Sequence, residues 1–309
     1  MNLPWLDPVR AEFRDRLESG RLAHALLLSG SAGTGKRALA MEMAASLLCR
    51  EGSLPACGKC RSCQLLGTGA HPEFRLLTFE PNDKGTLRTE LVIEQVRKLI
   101  SSLQLTTTIA ERKVALLHPA EAMNRNAANA LLKTLEEPPG DSVLILVSHD
   151  SGRLPVTIRS RCQNLHVRLP DDSLAVNWLM EQGDFDPEQL EYALKAAARS
   201  PLLALEMLED GSMEQYRLVS STLDNMLSGN CGFGQAMAAL AHVDPGRLWN
   251  WLSLCAAAKV RLYIAQKDKA KPMSRMQASA DRNRLLLATQ VRKDLLLQDW
   301  LIQWAQLKA

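Results

Sequence analysis

The chain has 309 residues, 46% of them hydrophobic but only 5% aromatic, and a formal net charge of +3. The length allows two or three domains, the abundance of Leu and Ala over aromatics favours helices rather than a β-sandwich, and the near-neutral charge excludes a binder held to nucleic acid by its overall charge, leaving room only for a local basic patch. The opening MNLPWLDPVRAEF lacks the apolar run of a signal peptide, no stretch approaches ~18 consecutive apolar residues, and seven cysteines in a chain this long do not make a secreted disulfide scaffold, so a cytoplasmic protein with no membrane contact is expected.

In chain order, residues 10–20 read as a helix ending at Gly20, and HALLLSG as a short apolar strand. That strand runs into GSAGTGKR, Gly30 to Arg37. Gly30, Gly33, Gly35 and Lys36 satisfy a phosphate-binding loop, in which glycines let the backbone point N–H groups at a phosphate and the lysine reaches the β- and γ-phosphates. Arg37 stands where the pattern needs Ser or Thr, the hydroxyl that holds Mg²⁺. KRALAMEMAASLLC has the composition of the helix that follows such a loop.

A cysteine-rich insert comes next, over residues 49–63. Cys49, Cys57, Cys60 and Cys63 are spaced C-x7-C-x2-C-x2-C. Four soft ligands at this spacing suit a structural Zn²⁺, and a C-x2-C step lets two sulfurs of one turn reach one ion. His71 is the alternative fourth ligand to Cys49. LVIEQVRKLISSLQL is amphipathic, with Val92, Val96, Leu99 and Leu103 on one face. KVALLHP reads as a second buried strand, NRNAANALLKTLEEPP as a helix stopped by Pro138 and Pro139, SVLILVSHD as a third strand and NLHVRL as a fourth. Alternation of strand and helix predicts a parallel sheet covered on both faces.

After Pro170 no strand is expected. Residues ~171–208 carry three short helical patterns and ~213–309 longer ones, closing in RLLLATQVRKDLLLQDWLIQWAQL with Leu296, Trp300 and Trp304 on one stripe. QKDKAKPMSRMQASADRNR reads as a solvated loop between two helices.

An active P-loop ATPase needs an acid at the end of a buried strand to hold Mg²⁺. Here KVALL ends in His118–Pro119, and Glu121 reads as a first-turn acid of the next helix. Residues Ser148 to Asp150 form no catalytic triad, because neighbours on a strand point to opposite faces. By residue type alone, Arg161 in SRC is an ordinary surface charge.

HALLLSGSAGTGKRALA, LLCREGSLPACGKCRSCQL, HPEF, ANALLKTLEEPP, RLPVTIRSRCQ and RSPLLALEML together resemble the delta-prime family of bacterial DNA polymerase III clamp-loader subunits, members of the AAA+ superfamily. The resemblance covers most of residues 20–210. It implies an α/β parallel-sheet P-loop AAA+ domain over 1–168 carrying the zinc insert, a small helical lid over 169–210, and an all-helical C-terminal collar over 211–309. It further implies a place in a hetero-pentameric ring with gamma/tau-type ATPase subunits and a delta subunit, loading the β sliding clamp onto primed DNA as part of a polymerase holoenzyme, without polymerase activity of its own. In that family the SRC arginine, Arg161 here, is an arginine finger reaching a neighbour's ATP site. Motor subunits carry Lys-Ser or Lys-Thr in the loop, Asp-Glu after the second strand and an arginine in the lid; Arg37, His118–Pro119 and Leu202 replace all of these. A subunit that does not hydrolyse ATP is therefore expected, with ATP or ADP binding left open by Lys36 and its glycines. The alternatives are an active ATPase of the same loader and a zinc-dependent nucleic-acid module.

Overall fold

A computed structural model gives the structure of the protein and describes residues 1–82, 85, 88–287 and 291–307. The chain forms two compact units, Met1–Leu174 and Ala175–Ala309.

In the first unit, α1 (Asp7–Glu18) is followed by β1 (Ala25–Ser29), α2 (Lys36–Leu48), α3 (Arg61–Gly67), β2 (Phe74–Leu77), α4 (Ile93–Leu103), β3 (Lys113–Leu117), α5 (Arg125–Glu136), β4 (Ser142–Ser148), α6 (Val156–Arg159) and β5 (Gln163–His166). The five strands form one sheet in the order β2-β3-β4-β1-β5, and every pair is parallel. β1, β3 and β4 are buried along their whole length, which is why they read as continuous apolar runs rather than alternating ones. Each strand still splits its side chains between the two faces. Ala25, Leu27, Ala115, Leu117, Leu144 and Leu146 share a core with Val96, Leu99 and Leu103 of α4 and Leu131 and Leu135 of α5, while α2 packs along β1, β3 and β4.

Val92 is the extended residue that caps α4 rather than a member of its buried stripe. The sheet has one strand more than the sequence suggests. β2 is an edge strand, with Arg75 and Leu76 exposed, and so lacks the apolar run that marks the inner strands.

The second unit is helical: α7 (Asp172–Gln182) begins at the boundary, followed by α8 (Pro187–Ala196), α9 (Pro201–Glu209), α10 (Met213–Leu227), α11 (Phe233–Leu240), α12 (Pro245–Leu262), α13 (Lys267–Leu286) and α14 (Lys293–Ala305). α13 corrects the expectation of a solvated loop there. Met273, Met276, Ala280 and Asn283 are buried at helical spacing, a stripe hidden in sequence by the charges around it and by Pro272 inside the helix. On α14 the buried stripe is Leu297, Trp300, Leu301 and Trp304, with Leu296 half-buried at its margin; residues 288–290 of the closing stretch lie outside the described residues. Trp300 and Trp304 stack with ring centroids 5.0 Å apart. Their indole N–H groups donate to the carbonyls of Met276 and Leu223, both at 3.1 Å, so each buried ring keeps its polar atom satisfied.

No described helix is long and apolar enough to cross a membrane.

Candidate functional site

The glycine loop leaves β1 at Ser29 and enters α2 at Lys36. Gly30 has φ +144°, and a Cβ placed on it would lie 2.2 Å from the carbonyl oxygen of Val167, the residue following β5. Glycine is therefore demanded here by a close approach of two backbones as well as by the turn. Gly33 (φ +68°) and Gly35 (φ +84°) supply the left-handed turns that close the loop. Gly35 caps α2 without a side chain, so the first N–H groups of the helix remain available to an anion.

Lys36 is buried. Its ammonium donates to the Ser31 carbonyl and, at 3.2 Å, to Thr34 Oγ1. Burial lowers its pKa to about 8, against the opposing pull of Glu121. The Thr34 carbonyl accepts the indole N–H of Trp5 at 2.9 Å, so the N-terminal turn Pro4–Leu6 is tied to the loop. Nothing in the sequence pattern signals that tie. Arg37 is exposed on the first turn of α2.

The ends of β3 and β4 face this loop with imidazoles. His118 and His149 meet edge to face, ring centroids 5.1 Å apart. Burial, then the charges of His149 and Arg37, push His118 down to about 4, with Glu121 opposing. Burial and Lys36 lower His149 as well. Both rings are therefore neutral at pH 7. Glu121 lies in the short turn Ala120–Ala122, and its Oε1 accepts the backbone N–H of His149 at 3.0 Å. It thus bridges the two strand ends in addition to being a first-turn acid. Mg²⁺ requires near-octahedral oxygen ligands. Two neutral imidazoles and a guanidinium in place of the loop hydroxyl offer such an ion no oxygen, and the Glu121 carboxylate gives Oε1 to a backbone N–H while its Oε2 is buried without a partner.

The cysteine insert does fit a metal. The Sγ atoms of Cys49, Cys57, Cys60 and Cys63 all lie within 4.8 Å of one another, and Cys57 and Cys63 are 3.9 Å apart. A zinc ion bound at about 2.3 Å by four sulfurs would space them about 3.8 Å apart. Backbone N–H groups converge on the sulfurs: Cys60 donates to Cys57 Sγ at 3.3 Å, and Cys63 to Cys60 Sγ at 3.5 Å. Burial alone would raise the Cys49 thiol, but N–H donors from Cys57, Ser53 and Glu51 with the Ser53 hydroxyl outweigh it and bring the group to about 6. Cys63 is pushed up to about 12 by burial and by the neighbouring sulfurs. His71 is elsewhere. Its Nε2 meets Ser62 Oγ at 2.7 Å and its Nδ1 accepts the backbone N–H of Glu73 at 3.2 Å. Both ring nitrogens are engaged, which leaves Cys49 as the fourth member of the sulfur cluster.

Arg161 follows α6 on the surface. Leu154 and Ile158 are buried in the sheet core and Cys162 packs against it, which fixes the turn and leaves Arg161 outside. Arg161 Nε donates to Glu136 Oε1 at 2.7 Å, Nη2 reaches the same oxygen, and Nη1 donates to the Thr157 carbonyl at 3.0 Å. Both partners lie in stretches that carry the family resemblance, ANALLKTLEEPP and RLPVTIRSRCQ, but 25 residues separate Glu136 from Arg161 and no local pattern joins them.

Residues 7–171 match the family described as DNA polymerase III, delta subunit. The DNA polymerase III subunit delta' of Pseudomonas aeruginosa is 36% identical, the match covering 98% of this chain and 97% of that protein; that of Escherichia coli is 30% identical over 97% and 94%. A gamma subunit-related protein of Thermotoga maritima, solved as a crystal structure, aligns over 98% of this chain and 99% of that one, with 18% identity and a TM-score of 0.49. Identity of 30–36% along nearly the whole of these two delta' sequences places the chain in the DNA polymerase III delta' family.

Proposed function

We propose that this chain is a clamp-loader subunit that does not turn over ATP itself and serves the ATP site of a neighbouring subunit through Arg161. The observation that carries the reading is an asymmetry. Where a motor would hold Mg²⁺, this chain has Arg37, His118 and His149, whereas Arg161 is exposed on a fixed turn with donors left for an oxyanion. Lys36, Gly30, Gly33 and Gly35 retain the phosphate half of a nucleotide site, which suits ATP or ADP held without hydrolysis.

In this reading residues 1–168 are the AAA+ domain, 169–210 a lid and 211–309 a collar through which the ring assembles. The division into compact units at Leu174 supports the first boundary. The partners are gamma/tau-type ATPase subunits and a delta subunit in a pentamer, and through them the β clamp and primed DNA, in the cytoplasm. Relatives named gamma, tau/gamma and tau match 62%, 68% and 79% of this chain, the tau/gamma one from Haemophilus influenzae at 31% identity. The four cysteines hold a structural Zn²⁺ that keeps the insert folded.

The test is ATP turnover measured twice. The isolated chain is expected to show none with Mg²⁺, and a reconstituted ring carrying Arg161→Ala is expected to hydrolyse ATP far more slowly than the unaltered ring. Turnover by the isolated chain that Lys36→Ala abolishes would replace this reading with an active ATPase.

A further inference from the structure

We propose that Glu136 is a positioning residue for Arg161: from the end of α5 its carboxylate sets the plane of the guanidinium so that the remaining donors meet the γ-phosphate across the subunit interface. This rests on the reading of Arg161 as an arginine finger.

Two elements grip the guanidinium from different sides. Glu136 Oε1, on α5, takes Nε at 2.7 Å and also Nη2, while the carbonyl of Thr157, on α6, takes Nη1 at 3.0 Å. A guanidinium has five N–H donors in one plane. Three are committed to these two acceptors. Nη2 keeps one, and the second on Nη1 has only a long bond, 3.4 Å, to Ser160 Oγ. Without Glu136, only the contacts of Nη1 with Thr157 and Ser160 remain, and the plane can turn about that one nitrogen. An exposed long side chain otherwise samples many rotamers, and the entropy of fixing it falls on the reacting complex.

Stability does not account for the pair. The side chains are 34% and 50% exposed, and exposed ion pairs add little to folding. α5 ends there regardless, at Glu137 and the two prolines, with Glu137 N–H bonded to the Lys133 carbonyl at 2.8 Å. What Glu136 does in the structure is hold Arg161, which gives LLKTLEEPP a task beyond covering the sheet.

The experiment uses the reconstituted ring and compares kcat and KM for ATP in five versions: unaltered, Glu136→Ala, Glu136→Gln, Arg161→Ala, and the Glu136→Ala/Arg161→Ala pair. Glu136→Ala is expected to lower kcat about tenfold with KM for ATP unchanged, as a small misplacement of a transition-state contact does. Glu136→Gln keeps an oxygen acceptor and is expected to recover most of the rate. In the Arg161→Ala ring, Glu136→Ala is expected to change nothing further. A slow Arg161→Ala ring beside a Glu136→Ala ring of normal or raised rate overturns this proposal alone; a raised rate would mark Glu136 as a competitor of the phosphate. An Arg161→Ala ring as fast as the unaltered one overturns the finger reading, and this proposal with it.

Discussion

The glycine loop and the SRC turn belong to the same unit and are built in opposite ways. At the loop, charge is turned inward: Lys36 is buried on its own backbone, two imidazoles are held neutral, and Glu121 spends one oxygen on a strand end. At the turn, only the anchor is buried, through Leu154 and Ile158, and the charge is displayed. In the proposed reading the chain keeps the backbone of a nucleotide site without its metal-binding half, because the backbone is fixed by packing and the metal by a few replaceable side chains. A P-loop motif is therefore good grounds for a fold and poor grounds for turnover.

The largest expected effect breaks the comparison from the displayed side. Arg161→Ala should lower hydrolysis at the site it serves by about 10³-fold, the low end for arginine fingers, read as single-turnover rates in the ring, while leaving the melting temperature of the isolated chain unchanged. The next tests whether the loop is kept for packing. Gly30→Ala drives a methyl to 2.2 Å from the Val167 carbonyl and should destabilise the chain by about 3 kcal/mol in chemical unfolding, by backbone strain and overlap. An unaltered midpoint would mean that the loop and β5 separate readily.

A third prediction concerns protons at the neutral imidazoles. The unfolded chain takes up a proton at His118 near 6.5, whereas the folded one does so only near 4. The unfolded state therefore binds more protons between those values, and stability should fall as pH drops from about 6.5 to about 4. His118→Gln should flatten that slope in melting curves taken across the window; an unchanged slope would place the acid sensitivity elsewhere. The smallest effect expected is at Lys36: Lys36→Ala in the ring should change overall ATP turnover by less than about twofold, since no turnover depends on it in this reading. For the insert, elemental analysis of protein purified without chelator should find one zinc per chain, and Cys60→Ser should remove most of it; a metal-free unaltered chain would leave the sulfur cluster without its proposed role.

Legibility followed the range of the interactions. The loop glycines and the C-x2-C-x2-C run are local devices, and both were readable because their geometry is set within a few residues. β2 was not, because an edge strand of four residues has no apolar run to show. α13 reads as a loop because its lysines and Pro272 outweigh a sparse Met273–Met276–Ala280 stripe. What the sequence withheld entirely were contacts between distant segments: Glu136 with Arg161, Glu121 with His149, Trp5 with Thr34. Each joins side chain or backbone across 25 residues or more, and periodicity carries no information about such meetings.

The indole of Trp5 has one more consequence. The chain has six tryptophans, and the other five, Trp178, Trp249, Trp251, Trp300 and Trp304, all belong to the second unit. The phosphate loop thus carries its own fluorophore, bonded to the peptide carbonyl of Thr34. The emission difference between the unaltered chain and Trp5→Phe isolates that loop optically, so titration with ADP or inorganic phosphate can be followed in the intact protein with no label attached.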